Sequence, residues 1–254
     1  MIGYRMMVND VILRADIILE VIDARFPDET RNSDVERDVV RSKKTFILVL
    51  NKCDLVPKET LERTKSRLSK EAPTVFVSCV DRLGTTMLLH KILENIHIEG
   101  RDILVGVIGY PNTGKSSVIN ILAGRHKAPT SPISGHTRGV QLVKAGSHIM
   151  LLDTPGVIPF EERDEYIQGV LSVKDPTHIK DPVGVAMKII ERFFANDRTA
   201  LESFYHVALE GLDSYDALLV IARKLNCLRK RGEVDETRAA VRVINDWQKG
   251  MLGQ

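Results

Sequence analysis

The sequence has little of what marks secreted, membrane-spanning or zinc-stabilised proteins. Its 254 residues include three cysteines and one tryptophan, and aromatic residues make up 5% of the chain. The cysteines form no CxxC pair and no histidine cluster has zinc-ligand spacing, so we expect neither a disulfide framework nor a structural zinc site. No apolar run approaches the ~20 residues that span a bilayer, and the N-terminus lacks the layout of a signal peptide. We therefore expect a cytoplasmic protein with no membrane partner.

The chain also lacks an excess of charge of one sign. Its formal net charge is +2, from 36 basic and 34 acidic residues. Net charge therefore predicts no nucleic-acid partner, and only a local basic patch could provide one. Hydrophobic residues at 43% and charged residues at 28% are typical of an ordinary globular protein.

Short β-branched runs alternate with amphipathic stretches through the first part of the chain. Strands are predicted over 17–22, 46–50, 75–77 and 103–108, helices over 34–41, 57–70, 85–96 and 115–122, and a hairpin over 140–144 and 148–152. This alternation predicts an α/β fold with a mostly parallel sheet and helices on both faces. From about residue 183 onward only helices are predicted, over 185–194, 201–208, 214–225 and 234–247. We expect a first domain over 1–175 and a small all-α domain over 176–254.

Residues 109–116, GYPNTGKS, fit the pattern GxxxxGK[ST] and lie between a predicted strand and a predicted helix. Glycines let the backbone curl so that its N–H groups face phosphate oxygens, and the helix N-terminus adds its positive dipole end. Lys115 would supply a cation for the β- and γ-phosphates, and the Ser116 hydroxyl would ligate Mg²⁺. The nucleotide-binding residues predicted in this loop are Asn112, Thr113, Gly114, Lys115, Ser116 and Ser117.

A second motif, Asp153-Thr154-Pro155-Gly156, ends a predicted strand. Asp153 there can hold Mg²⁺, directly or through water, and Gly156 offers an N–H group near a γ-phosphate. Thr137 is the candidate for the loop that closes on Mg²⁺ and the γ-phosphate, and its support is its position between the phosphate loop and the hairpin. Thr130 is the competing candidate.

A third motif, Asn51-Lys52-Cys53-Asp54, follows another strand. The Asp54 carboxylate can accept hydrogen bonds from guanine N1–H and the 2-amino group, and adenine has neither donor. The Lys52 stem can lie along the base, and Asn51 can brace the loop. Ser78 and Cys79 end the next strand and would form a second guanine loop, with a backbone N–H group facing O6. A plain strand end is the alternative for that pair.

These motifs resemble those of TRAFAC-type GTPases, in which the phosphate loop ordinarily comes first, then DxxG, then NKxD. Here the order is NKCD, GYPNTGKS, DTPG, as in the circularly permuted GTPases of ribosome assembly. The sequence is most similar to the ribosome biogenesis GTPase A family. Three further stretches support it, namely 21–25 (VIDAR) with Pro27, the start of the phosphate loop at 109–112 (GYPN), and 226–231 with Asp246-Trp247.

The resemblance implies a Ras-like P-loop domain over 1–175 and a helical effector and RNA-binding domain over 176–254. It also implies a GTPase that uses Mg²⁺, assembles the large ribosomal subunit as a monomer, and leaves it on hydrolysis. Its partners would be GTP or GDP, rRNA and ribosomal proteins. The alternative is a GTP-dependent sensor with negligible turnover that acts on another RNA or protein.

The resemblance leaves the activating group open. Lys115, Thr137 and Gly156 are the predicted catalytic residues, but Val157 stands where Ras-like GTPases carry a water-orienting Gln. Family members often begin with a Gly-His-Met segment whose His is linked with catalysis, and this sequence offers no residue to carry that role. Slow unaided hydrolysis is therefore expected. In related GTPases an Asn at the place of Asn112 coordinates K⁺, while the alternative is that Asn112 only stabilises the turn.

The best candidate for contact with RNA phosphates is the basic stretch over 223–231. The alternative is a solvated helix end, because cations favour helix C-termini. The residues predicted to bind RNA are Arg223, Lys224, Arg229, Lys230 and Arg231.

Overall fold

The computed structural model describes residues 2–96, 100–124, 141–145, 148–153, 169–170 and 175–252. The strands in these ranges are β1 (Ile17–Asp23), β2 (Thr45–Asn51), β3 (Thr74–Val77), β4 (Ile103–Ile108), β5 (Gln141–Ala145) and β6 (Ile149–Asp153). The helices are α1 (Ile2–Arg14), α2 (Ser33–Arg41), α3 (Lys58–Leu68), α4 (Thr85–Glu94), α5 (Lys115–Leu122), α6 (Pro182–Asn196), α7 (Arg198–Tyr205), α8 (Ser214–Lys224) and α9 (Glu236–Gln248). Two short 3-10 turns cover Cys53–Leu55 and Pro176–His178.

The six strands form one sheet in the order β3-β2-β1-β4-β6-β5. All neighbours are parallel except β5 and β6, which pair antiparallel as the predicted hairpin. Parallel pairing places the carboxyl ends of β1, β2, β3, β4 and β6 at one edge of the sheet. The predicted α/β class with a mostly parallel sheet is confirmed.

Both faces of the sheet are covered by helices. Side chains alternate between the two faces along each strand, so a single strand packs against helices on both sides. Ile17, Leu19 and Val21 of β1 pack in one cluster with side chains of α4 and α5. Ile18 packs in another with side chains of α1 and α2, and Ile22 packs with α3. Burial on both faces explains why the central strands are mostly apolar.

Helix α1 is an element that the sequence analysis did not predict. Val8, Val11, Ile12 and Ala15 are buried and recur at helical spacing. Met6 and Leu13 are also apolar but exposed, so apolar residues do not lie on one face alone. The amphipathic pattern is therefore weak, and packing against the sheet decides the structure of this segment.

Most predicted element ends differ from the observed ones by a few residues, and two differences have a clear local cause. The helix predicted over 201–208 runs from Arg198 to Tyr205, because His206 adopts a left-handed conformation (φ 54°) that ends it. The helix predicted from Val234 begins at Glu236, because Val234 pairs with Leu228 in an isolated bridge. The predicted loop over 129–139 lies outside the described residues.

The chain divides into two compact units, Met1–Pro159 and Phe160–Gln254. The predicted boundary near residue 175 falls within the second unit, and its functional meaning stays a prediction. No described helix is both long and apolar enough to cross a membrane. Within the described part of the second unit, residues 175–252 contain helices and no strand.

Each helix of the second unit from α6 to α9 begins at an aspartate. The Asp side chain accepts a hydrogen bond from the backbone N–H group three residues later in every case. Such caps satisfy orphan donors and place a negative charge at the positive helix end. The capping residues are Asp181, Asp197, Asp213 and Asp235. Trp247 anchors this unit, since its Nε1–H group donates to Val170 O at 3.0 Å and its ring meets Phe193 edge-on at 5.8 Å.

Glu20 is an acidic residue inside the central strand β1 and is fully buried. Its Oε1 accepts a hydrogen bond from the backbone N–H group of Asn32, the residue that caps α2 (2.8 Å). Burial, reinforced by the Glu36 carboxylate, raises the pKa of Glu20 well above its ordinary value of 4.5. The side chain thus links β1 to the start of α2, and its carboxyl group is difficult to ionise in the folded protein.

We predict that Glu20→Gln changes how stability depends on pH. A raised folded-state pKa means that the carboxyl's contribution is complete below the unfolded-state value, about 4.5, and is lost as pH rises through the folded-state value. We therefore expect the free energy of unfolding of the wild type to fall relative to that of Glu20→Gln as pH rises above about 4.5. Unfolding in denaturant at a series of pH values measures this difference. Glu62→Gln, an exposed change on α3, controls for the substitution itself, and parallel pH profiles for wild type and Glu20→Gln would contradict the prediction.

Candidate functional site

The three sequence motifs meet at the edge of the sheet where the parallel strands end. Asn51 ends β2, Gly109 follows β4, and Asp153 ends β6. The register places Asp153 beside Val107 of β4, and Asn51 between Asp23 of β1 and Val77 of β3. Ligands of open α/β sheets bind at this kind of edge.

The phosphate loop requires glycine at its first and sixth positions. Gly109 has φ 143°, and a Cβ atom there would lie 2.3 Å from the carbonyl oxygen of Val21 on β1. Gly114 has φ 97°, and its Cβ atom would lie 2.0 Å from the Asn51 side-chain nitrogen. Backbone conformation and close approach both exclude a side chain at these two positions. The loop is therefore pressed against the ends of β1 and β2.

Side chains within the phosphate loop bind its own backbone. The Thr113 hydroxyl donates to Tyr110 O at 3.0 Å, and Lys115 Nζ donates to the same oxygen at 2.6 Å. Lys115 is buried at the first position of α5. Asn112 adopts a left-handed conformation with φ 59°. Ser116 and Ser117 follow in the first turn of the helix and are partly exposed.

The Asn51 side chain joins the guanine motif to the phosphate loop. Its Nδ2 donates to Thr113 O at 2.7 Å, across 62 residues of sequence. Its Oδ1 accepts from the Cys79 thiol at 3.2 Å. Burial and then the nearby Asp54 raise the pKa of the Cys79 thiol to about 12, so this thiol stays protonated and remains a donor. The predicted bracing role of Asn51 is thus directed at the phosphate loop itself.

Cys79 therefore contributes through its side chain, whereas the sequence analysis expected only a backbone N–H group from this loop. A strand-ending cysteine carries no sequence signal for such a bond. The Ser78 hydroxyl accepts the backbone N–H group of Asp81 at 3.0 Å, and its backbone pairs with Leu83. Ser78 thus shapes the loop that follows β3.

Asp54 lies in the 3-10 turn that follows Lys52. Its Oδ1 atom is buried and has no hydrogen-bond partner within the described part of the chain. An acceptor left in this state costs free energy on the order of 1–3 kcal/mol. A guanine base would supply the missing donors through N1–H and the 2-amino group, so the observed geometry fits the guanine-reading role predicted for Asp54.

Lys52 adopts a left-handed conformation, φ 61°, and its Nζ lies 2.8 Å from Asp23 Oδ2. Arg25 binds the same carboxylate through two side-chain nitrogens, at 3.0 and 2.8 Å. Burial favours a higher pKa for Asp23, but the charges of Lys52 and Arg25 outweigh it and hold the pKa well below its ordinary value. Asp23 and Arg25 entered the sequence analysis only as part of the family stretch VIDAR. Their contact with Lys52 becomes visible only in three dimensions.

Residues predicted to approach Mg²⁺ and the γ-phosphate are only partly described. Asp153 is placed by its backbone at the end of β6, and Ser116 by its place in α5. Hydroxyl and carboxylate oxygens suit Mg²⁺. Thr137, its competitor Thr130, and Gly156 lie outside the described residues. No group of three or more metal-binding side chains occurs among the residues that are described.

The predicted RNA-binding residues lie together in the second unit. Arg223 and Lys224 end α8, and Arg229, Lys230 and Arg231 form an exposed turn between that helix and α9. The turn is closed by Arg229 N donating to Glu233 O at 2.7 Å and by the bridge of Leu228 with Val234. Arg229 also lies 3.9 Å from the Asp235 carboxylate. The structure therefore places Arg229, Lys230 and Arg231 on a defined turn, and Arg223 and Lys224 at the end of the preceding helix.

The sequence matches two family descriptions. The description "RsgA GTPase" matches residues 17–162, and "50S ribosome-binding GTPase" matches residues 104–223. The first covers more than half of the chain and includes all three nucleotide motifs. The chain belongs to the RsgA GTPase family. The expected identity as a circularly permuted GTPase of the ribosome-biogenesis group is confirmed.

Several curated proteins are similar to this RsgA-family chain. It is 40% identical over 247 residues to a GTP-binding protein of Methanocaldococcus jannaschii, covering 96% of this chain and 65% of that protein. It is 33% identical over 252 residues to the nucleolar GTP-binding protein 2 of Saccharomyces cerevisiae, covering 95% of this chain and 50% of that protein. The chain thus spans one half to two thirds of the length of these relatives.

The fold is also found in solved structures. A GDP-bound YlqF structure shares 24% identity with a TM-score of 0.69, over 97% of this chain and 96% of that one. A GNP-bound YlqF structure from T. maritima shares 23% identity with a TM-score of 0.65, over 99% and 95% of the two chains. These likenesses confirm the fold predicted for the RsgA-family chain.

We predict that Asn51→Ala destabilises the first unit by about 1–3 kcal/mol, because Thr113 O loses its buried donor. Asn95→Ala is the matched control, since Asn95 Nδ2 donates to Lys91 O at a similar 2.8 Å but near the end of α4, away from the motifs. Denaturant unfolding of both variants measures the difference. Equal losses of unfolding free energy in the two variants would mean that the Asn51 hydrogen bond stabilises the fold no more than an ordinary bond near a helix end.

Proposed function

We propose that this chain binds GTP, hydrolyses it, and acts as an assembly factor for the large ribosomal subunit, with hydrolysis controlling its release. The observation that carries the nucleotide part is the Asn51 bridge to Thr113 O, which joins a guanine motif and a phosphate loop in one site. The buried Asp54 Oδ1, which has no hydrogen-bond partner among the described residues, supports guanine as the base. The ribosomal part rests on the match to a family described as 50S ribosome-binding GTPase and on relatives named nucleolar GTP-binding protein 2.

Each motif has a role in this proposal. The phosphate loop would hold the phosphates through its backbone N–H groups, and Lys115 would exchange Tyr110 O for phosphate oxygens. Ser116, Asp153 and Thr137 would hold Mg²⁺, which would offset the negative charge of the phosphates. Gly156 would contact the γ-phosphate through its N–H group. Thr137 and Gly156 enter on their sequence positions.

Unaided turnover is expected to be slow, because Val157 has no polar group with which to orient water. We propose that the ribosomal subunit stimulates it. The experiment is GTP turnover in KCl with and without large ribosomal subunits from the same source. Strong stimulation is expected, and tight GTP binding with no stimulation would favour a nucleotide sensor that acts on another partner.

The control for this experiment is Asp54→Asn. The Asn amide donates where the carboxylate accepted, so it matches the C2 carbonyl of xanthine in place of the 2-amino group of guanine. Stimulated turnover should move from GTP to XTP in this variant. GTP turnover that persists in Asp54→Asn would assign the activity to another protein or another site.

We also propose that Asn112 coordinates K⁺, where a cation would neutralise charge that develops on the phosphates. The left-handed conformation of Asn112 in the phosphate loop is compatible with this role and with the simpler role of shaping the turn. Turnover compared in KCl and NaCl separates the two roles. Equal rates in both salts would leave only the role in the turn.

The second unit is proposed to act as the RNA-binding effector unit, and cytoplasmic location and monomeric state stay predictions. Changing Arg229, Lys230 and Arg231 to Gln should weaken binding to large subunits. The salt dependence should also become shallower, by about 0.7–0.9 in log–log slope for each phosphate contact removed. Binding measured across a salt series tests this prediction.

A matched control removes three exposed charges elsewhere. Arg63, Arg67 and Lys70 lie on or directly after α3 in the first unit, and changing them to Gln alters net charge by the same amount. This control variant should keep the wild-type salt slope. Equal weakening by both triple variants would indicate a general charge effect and count against a specific basic patch.

A further inference from the structure

Asp23, Arg25 and Lys52 form a cluster of three charged groups, here called the Asp23 cluster, at the end of β1. The Asp23 side chain is 5% exposed, as is that of Arg25, and that of Lys52 is 23% exposed. Asp23 Oδ2 lies 2.8 Å from Lys52 Nζ and 2.8 Å from an Arg25 guanidinium nitrogen. The cluster thus contains one buried anion and two cations, and its formal charge is +1.

Arg25 keeps the Asp23 carboxylate from rotating. Its Nε and its own backbone N–H group both donate to Oδ1 at 3.0 Å, while the other end of the guanidinium donates to Oδ2. The backbone N–H group of Asp23 donates to the Thr30 hydroxyl at 3.0 Å, which fixes the turn that carries Arg25. A planar guanidinium that binds both carboxylate oxygens fixes the orientation of the carboxylate and also stabilises its negative charge. The position of Oδ2, and with it that of the Lys52 ammonium, is therefore defined before any ligand binds.

The Asp23 cluster lies beside both halves of the nucleotide site. Asp23 pairs with Asn51 in the sheet, and the next residue, Ala24, donates its N–H group to Asn51 O at 2.8 Å. Val21, two residues before Asp23 in β1, lies close to Gly109 of the phosphate loop, where a Cβ atom would be 2.3 Å from Val21 O. Lys52 itself stands between Asn51, which braces the phosphate loop, and the turn that holds Asp54.

We propose that Asp23 is a positioning residue for guanine-nucleotide binding, which holds Lys52 by its ammonium so that the methylene stem forms a preset wall for the base. Arg25 holds the carboxylate in place and offsets its negative charge. Asp23 can therefore orient Lys52 while the cluster as a whole keeps a formal charge of +1. This inference rests on the proposed function. It assigns a role to the VIDAR stretch that the nucleotide motifs themselves do not cover.

The test is the Kd of GDP and of IDP for the wild type, Asp23→Asn, Lys52→Met and the double variant. Asp23→Asn should weaken GDP binding about 10-fold, the size of a coupling between charged partners in contact. The double variant should bind no more weakly than Lys52→Met, because Asp23 acts through Lys52. The ratio of GDP to IDP affinity should stay at the wild-type value in Asp23→Asn, since Asp54 reads the 2-amino group that IDP lacks.

Asp16→Asn is the matched control at the other end of β1. Its carboxylate is also held by a two-nitrogen arginine contact, from Arg101 at 2.7 and 2.8 Å, and by the backbone N–H group of Leu104 at 2.8 Å. Asp16→Asn should bind GDP as the wild type does. If Asp23→Asn does not fold, Asp23→Glu takes its place, because the added methylene displaces the carboxylate and GDP binding should still weaken several-fold.

Three results would overturn the inference. These are unchanged GDP binding by Asp23→Asn, additive losses in the double variant, or an equal loss in Asp16→Asn. A wild-type chain that binds no GDP would instead overturn the proposed function, and this inference with it. The two failures are therefore distinguishable from one set of titrations.

Discussion

The geometry of the candidate site depends on one buried side-chain amide, that of Asn51. It donates to the phosphate loop and accepts from Cys79, so it connects the ends of three strands. The contact with the loop is so close that only glycine fits at position 114. The segment Asn51–Asp54 and the phosphate loop are therefore held at a fixed separation, which a nucleotide bound as proposed would have to match. Loss of this amide would remove the side-chain donor to Thr113 O and the acceptor for the Cys79 thiol.

The parallel sheet explains why the permuted order of motifs is compatible with one site. Strand β1 lies between β2, which leads into the guanine motif, and β4, which leads into the phosphate loop. Neighbours in a sheet are set by pairing and packing, while the order along the chain is set by the connections. Moving the termini to another surface connection leaves the carboxyl ends of the strands where they were. The sequence consequence is that DTPG precedes the helical unit directly, without the guanine motif in between.

The second unit separates its charges by function. Four of its aspartates stand at the starts of helices, where they satisfy backbone donors and complement the helix dipoles. Asp246 is also engaged, since it accepts from Tyr205 and pairs with Arg242. The cations of the turn over 229–231 are exposed, and Arg229 lies 3.9 Å from the Asp235 carboxylate. These aspartates thus stabilise helices of the unit, while a basic turn lies exposed on its surface.

The sequence by itself determined the fold class, the place of the nucleotide motifs and the helical character of the second unit. Each of these depends on local patterns, such as β-branched runs, glycines at fixed spacing, and amphipathic stretches. Residues 109–116 illustrate this, since the motif predicts a strand, a loop and a helix in succession and all three are observed. Helix ends were predicted less well, because one residue such as His206 in a left-handed conformation can end a helix that the apolar pattern would extend.

Only the tertiary structure decided which distant groups meet. Nothing local in the sequence indicates that the Cys79 thiol orients Asn51, that Asp23 holds Lys52, or that Glu20 is buried against the start of α2. These contacts join residues 12 to 29 positions apart that neighbouring strands or following turns bring together. Helix α1 belongs to the same class, because its weak amphipathic pattern becomes decisive only when the sheet offers a surface for Val11 and Ile12. Side-chain hydrogen bonds and packing across strands are properties of the assembled sheet, and no periodicity along the chain encodes them.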